Sequence, residues 1–146
     1  MTVLDAQAVV ALLLGEPAAD EVAAMTRDSG HPVSISAVNV AEVVDVLVRV
    51  MGRTHDQVIE KLDWLSAGGL VVVPVDEGIG RIAGRIHAER YHRRDRPLSM
   101  ADCIALATAI TQREAIATSD PPLAATATLE GCDVVPLPDS QGRRPG

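Results

Sequence analysis

The sequence predicts a three-layer α/β domain, a Rossmann-like central parallel sheet flanked by helices on both faces. Three observations lead there. Short apolar runs of β-type residues alternate with longer helical patterns. Those runs lack polar–apolar alternation, as befits strands covered on both faces. And the first run, Met1-Thr2-Val3-Leu4, passes straight into Asp5 and a helical pattern without a loop. In an open parallel sheet the first strand is usually central, and ligands bind beyond its carboxyl end. A carboxylate there is poorly solvated and needs a partner.

The elements follow in order. Ala6 to Leu14 reads as a helix ended by Gly15 and Pro17, and Ala18 to about Arg27 as a second. Val33 to Ile35 is a short strand. Ser36 then caps a long helix from Ala37 to about Met51, stopped by Gly52. Thr54-His55-Asp56-Gln57 is a capping-box signature for a helix reaching about Ser66. Leu70 to Val75 is an unbroken apolar run, expected as a strand buried on both faces. Asp76 caps a helix carrying Ile79, Ile82, Ala83 and Ile86, and Ser99 caps another from Met100 to about Gln112. Ala115 to Thr118 is a strand, Pro121-Pro122 opens a short helical turn, and Cys132 to Val135 is the last strand. The tail from Pro136 is rich in Pro, Gly, Asp and Arg and is expected to fray. Residues 1–137 are thus assigned to one folded domain and 138–146 to a flexible C-terminal tail.

A chain of 146 residues suits one domain with a real core. It has no Phe, and Trp64 and Tyr91 are its only aromatics, so no aromatic platform for stacking bases is available. Net charge of −7 argues against broad non-specific nucleic-acid binding, though not against an acidic site that reaches phosphate through metal ions. Cys103 and Cys132 match no zinc or CxxC spacing and read as reduced thiols. No signal-peptide pattern or membrane-length apolar run is present, so a soluble, cytoplasmic protein without membrane contact is expected.

Four acids fall where this architecture brings residues together. Asp5 ends the first strand, Asp120 follows the Ala115–Thr118 strand, and Asp102 lies in the first turn of the Ser99 helix. Glu42 sits one turn beyond Asn39 on the same helix face. Each has a plainer reading: Asp5 and Asp120 as helix or turn caps, Asp102 as the reciprocal partner of Ser99, and Glu42 as a surface charge. Together they point to a carboxylate cluster, which either raises a pKa or requires a cation. Hard oxygen donors without His or Cys suit Mg²⁺ or Mn²⁺.

The runs Val3-Leu4-Asp5-Ala6, Ile35-Ser36-Ala37-Val38-Asn39-Val40-Ala41-Glu42-Val43, Leu98-Ser99-Met100-Ala101-Asp102 and Ala117-Thr118-Ser119-Asp120 resemble the four signature blocks of PIN domains. Their order and spacing are most similar to VapC-type toxins of bacterial toxin–antitoxin pairs, from Thr2 to about Leu137. The resemblance implies a metal-dependent endoribonuclease, with Asp5, Glu42, Asp102 and Asp120 as catalytic metal ligands and Asn39 and Thr118 as supporting polar groups. It also implies a homodimer and a cognate VapB-type antitoxin. In such a site one or two bound cations activate water and neutralise charge on the scissile phosphate, leaving 5′-phosphate and 3′-hydroxyl ends. Gln7 departs from the pattern, because members commonly carry Ser or Thr there; it can still hydrogen-bond to a carboxylate or water, and its plainer reading, the favoured one, is a helix-surface residue.

Arg81, Arg85, Arg90, Arg93, Arg94 and Arg96 crowd the segment before Pro97. Arg90, Arg93 and Arg94 are candidate contacts to the RNA backbone; a solvated helix face or an acidic partner's footprint is the competing explanation. His31, His55, His87 and His92 lie outside the signature blocks and read as surface residues. Leu12, Leu13, Val22, Val46, Val50, Leu62 and Trp64 are candidate partner contacts, Trp64 foremost. Two other functional classes stay open: an RNA-processing PIN nuclease outside toxin–antitoxin pairs, and an inactive α/β domain that only binds a partner. A phospho-acceptor receiver is set aside, since the single lysine, Lys61, lies in a mid-chain helix.

Overall fold

In the computed structural model, which describes residues 1–146, five parallel strands form one sheet in the order β3-β2-β1-β4-β5. The strands are β1 (Thr2–Leu4), β2 (Val33–Ser36), β3 (Val71–Val73), β4 (Ala115–Thr118) and β5 (Val134–Pro136). The first strand is central, as expected. Val3 pairs with Ser34 on one side and Ile116 on the other, so the ends of β1, β2 and β4 lie at one edge.

Seven helices surround the sheet: α1 (Ala6–Leu14), α2 (Ala19–Arg27), α3 (Ala37–Asp45), α4 (His55–Ala67), α5 (Glu77–Arg90), α6 (Met100–Gln112) and α7 (Pro121–Leu129). Alternate residues of β1 divide the core. Leu4 packs with Val9, Val10, Ile35, Val43, Leu47 and Leu62 on one face. Val3 packs with Ile79, Ile86, Leu106, Ile116 and Leu123 on the other. Ala105, Ala107 and Ala109 of α6 are fully buried, and small side chains let this helix approach its neighbours closely. No helix is long and apolar enough to cross a membrane.

Four expectations need correction. The run at 70–75 forms a strand only at Val71–Val73, and Val71 and Val72 are over 40 % exposed, 43 % and 44 %. β3 pairs on one side only, and an apolar run does not distinguish an edge from a central position. The helix after Ser36 changes register, with α3 continuing as a π-helical turn at Val46–Val50. The Met51 N–H there donates to the Val46 carbonyl at 3.0 Å, which leaves Leu47 buried and Val50 exposed. The turn at Pro121 is a full nine-residue helix, capped by Asp120 and started by two prolines that lose no intrahelical bond there. The last strand lies two residues later than expected at its start, ending on Pro136 at the sheet edge, where a missing N–H costs little.

Candidate functional site

The site is built from helix starts. Asp5 is the N-cap of α1, and its Oδ1 accepts the Ala8 N–H at 2.8 Å. Asp120 caps α7 through the Leu123 N–H at 3.0 Å. Asp102 completes the capping box of α6: its Oδ2 accepts the Ser99 N–H at 2.8 Å, while its own N–H donates to Ser99 Oγ at 3.0 Å. The plain capping roles are therefore real. They do not exhaust these carboxylates, because the same caps bring three acids to the edge where β1 and β4 end.

Two polar side chains stitch the acids together. The Thr118 hydroxyl donates to Asp5 Oδ2 at 2.5 Å and accepts the Asp120 N–H at 3.0 Å, joining the ends of β1 and β4. Asn39, fully buried on α3, donates from Nδ2 to Glu42 Oε2 at 3.2 Å and to the Ala101 carbonyl at 3.1 Å. The second bond ties Glu42's helix to the residue preceding Asp102. Ser36, read from sequence only as a cap, has a second role. Its hydroxyl donates to Asn39 Oδ1, so the amide faces Glu42 and Ala101 with its NH₂. A serine followed three residues later by an asparagine within an apolar helical run was the available signal.

The electrostatics show that the four acids share one region. Burial pushes the Asp5 carboxyl up from 3.8 to about 7, opposed by its bonds to Thr118 and Ala8 and assisted by the charges of Asp102 and Asp120. Glu42 and Asp120 are also raised, chiefly by burial, and Asp102 contributes to both. Asp102 thus acts on all three others. None of the four takes part in an ion pair.

This donor set fits a hard divalent cation in chemistry: all oxygen, concentrated negative charge, and no internal cation to neutralise it. The side chains do not yet converge, and no three His, Cys, Asp or Glu groups stand ready to hold a metal. The capping bonds explain why. Asp5, Asp102 and Asp120 each turn an oxygen back onto their own helix, so a cation must gather them through the remaining lone pairs.

The arginines are less available than the sequence suggests. Arg81 pairs with Glu77, and Arg85 and Arg90 converge on Glu130, at 2.9 and 2.8 Å. Arg96 donates to the Arg90 carbonyl. Arg93 and Arg94 are exposed. Among the histidines, His87 is half-buried and stacks on Tyr91, and the others are exposed. Cys103 and Cys132 are free thiols, the first buried and the second half-buried.

Known folds match this arrangement. A toxin–antitoxin complex from Klebsiella pneumoniae contains a chain similar at 20 % identity, TM-score 0.66, covering 92 % of this chain and 96 % of that one. VapC20 of Mycobacterium tuberculosis, a sarcin–ricin loop cleaving toxin, matches at 15 % identity and TM-score 0.68 over 86 % and 94 %. FitAcB from Neisseria gonorrhoeae matches at 24 % identity and TM-score 0.65 over 92 % and 96 %. These likenesses concern the fold. No curated protein sequence is significantly similar to the chain. The family model of the PIN domain matches residues 2–129, a span that takes in all four acids, Asn39 and Thr118. With that match over most of its length, the chain belongs to the PIN-domain family.

Proposed function

We propose that the chain is a metal-dependent endoribonuclease and the toxin of a toxin–antitoxin pair. The observation that carries this reading is the pair of hydrogen-bonded links beyond the ends of the central strands: Thr118 joins Asp5 to Asp120, and Asn39 joins Glu42 to the residue preceding Asp102. The similar structures, a toxin–antitoxin complex from Klebsiella pneumoniae and a toxin of Mycobacterium tuberculosis, support the biological role.

Asp5, Glu42, Asp102 and Asp120 would hold one or two Mg²⁺ or Mn²⁺ ions. A divalent ion so held would supply an activated water and offset charge on the scissile phosphate. The protein's own contribution is placement. Thr118 fixes the Asp5 carboxyl by its hydroxyl, and Asn39 fixes Glu42 relative to the start of α6. Burial of Asp5 keeps water from screening that charge. Arg93 and Arg94 offer exposed guanidinium groups for RNA phosphates, and Arg90 joins them only by leaving Glu130.

The antitoxin and a second copy of the chain are the proposed protein partners, in a cytoplasmic setting. Of the apolar candidates, Val22 and Leu62 are committed to the core, whereas Val50 and Trp64 are exposed, 56 % and 73 %. Trp64 stands between a groove lined by Leu13, Leu14 and Val58 and another lined by Leu12, Ala23 and Leu65.

The test is incubation of purified protein with total cellular RNA, with Mg²⁺ or Mn²⁺ or with chelator, beside Asp102→Asn. Discrete fragments from the wild type alone, absent with chelator, are expected. Identical behaviour of wild type and variant in every condition would remove the nuclease reading.

A further inference from the structure

The two grooves that share Trp64 measure about 510 and 530 Å³. Along α4 and its C-cap, Gln57, Lys61, Trp64 and Gly68 recur at steps of four, three and four residues and form one ridge. Each of them lines one groove or both. The ridge runs about 16 Å, or about three helical turns. Facing it are the end of α1, at Leu12 to Leu14, and the end of α2, at Ala23 to Arg27. A trough between helices with an aliphatic floor is the shape that an amphipathic helix fills.

The rims carry charge of the opposite sign to the chain. Arg53 and Lys61 border the first groove and Arg27 the second, against a single carboxylate, Glu60. All four side chains are exposed, and none takes part in an ion pair. Elsewhere Arg49, Arg81 and Arg85 each find a carboxylate one helical turn away. On a chain of net charge −7, three unpaired cations around one apolar floor reverse the local sign.

We propose that this trough docks a helix of a partner protein that carries an apolar stripe between acidic flanks. The stripe covers Trp64 and the aliphatic floor, and carboxylates on the flanks meet Arg27, Arg53 and Lys61. The inference rests on the reading above for the existence of a protein partner, and adds to it the chemistry of the segment that binds. Single-stranded RNA is a poorer occupant: it calls for successive stacking faces, and here one ring stands among aliphatic side chains. A second copy set groove to groove is poorer too. A two-fold contact brings the same surface together and opposes the three cations to their own counterparts.

The experiment displays a library of helical peptides of about four turns, with a fixed leucine stripe and Glu, Gln or Lys free at the flanking positions. The wild-type chain selects from it, beside Trp64→Ala and the charge-reversed triple variant Arg27→Glu, Arg53→Glu and Lys61→Glu. These four side chains are exposed, so folding is retained, and circular dichroism checks this. Enrichment of Glu over Lys by about tenfold is expected for the wild type, with the preference reversed in the triple variant and selection lost in Trp64→Ala. Trp64 is the only tryptophan, so binding of a selected peptide also shifts the protein's emission to shorter wavelength, and the affinity falls as salt is raised. No enrichment, or the same flanks from wild type and triple variant, overturns the proposal. So does an emission that shifts with protein concentration alone, which assigns the trough to a second copy, or with single-stranded RNA alone, which assigns it to nucleic acid. Metal-dependent RNA cleavage is assayed on the same wild-type preparation. Its absence removes the nuclease reading while the peptide result stands, and failure of the peptides leaves cleavage untouched.

Discussion

Replacing Asp5 with Asn should make the metal-free protein more stable at neutral pH. Asp5 is only 4 % exposed, and its carboxyl is held at about 7 against 3.8 for an unburied aspartate. Below about pH 4 the group is protonated in both folded and unfolded chains and contributes nothing. As pH rises from there to about 7, the unfolded chain ionises while the folded one keeps its proton, so stability falls. Above 7 the full cost of a buried anion is present. A rise of that size corresponds to roughly 4 kcal/mol at most, so a gain of about 1–3 kcal/mol is expected from the variant at pH 8. Asn preserves the cap on α1, because its amide oxygen can still accept the Ala8 N–H. Urea denaturation in chelator at pH 4, 6 and 8 measures the effect. The difference should be near zero at pH 4 and grow with pH. A variant no more stable than wild type at pH 8, with a wild-type midpoint that does not fall between pH 6 and 8, would refute the reasoning.

Three further outcomes follow from the packing. Ser34 Oγ is buried on β2 without a hydrogen-bond partner, so Ser34→Ala should stabilise by about 1 kcal/mol; a loss of stability in urea would show that the hydroxyl has an unseen partner. Asn39→Ala should cost about 2 kcal/mol, because the Ala101 carbonyl and the Ser36 hydroxyl lose their partner, and should lower RNA cleavage at saturating metal. Glu130→Ala should destabilise by about 1–2 kcal/mol at neutral pH, since its carboxylate is 8 % exposed while Arg85 and Arg90 remain half in solvent. Those arginines hold the Glu130 carboxyl below its usual value of 4.5, so this contribution is present at neutral pH and is lost as pH falls through the lowered value. Denaturation at pH 7 and pH 3 should show the gap between wild type and Glu130→Ala closing.

The fold was legible because β1 is short, apolar and followed at once by Asp5, and because caps at Ser36, Thr54, Asp76 and Ser99 mark helix starts. What escaped depends on neighbours rather than on local pattern. The valines of β3 read alike whether one or two strands flank them. α7 is built of Ala, Thr and Leu, whose apolar residues trace no clear stripe, and so its length was hidden. Within the site, the positions of Asp5, Asp102 and Asp120 followed from strand ends and helix starts, and that of Glu42 from its place one turn beyond Asn39. The capping bonds that hold the carboxylates apart did not, since a cap and a metal ligand have the same sequence signature. The arginine cluster misled for a similar reason. Its partner Glu130 lies forty residues beyond Arg90, out of reach of any local rule.

The central claim is that Asp5 after β1, Glu42 within α3, Asp102 in the first turn of α6 and Asp120 beyond β4 act as one cation site. Binding of Mn²⁺, followed by electron paramagnetic resonance on wild type, Asp5→Asn and Asp102→Asn, tests it most directly. Saturable binding by the wild type, weakened at least about tenfold in both variants, is the predicted result. Equal binding in all three proteins, or none in the wild type, would contradict it.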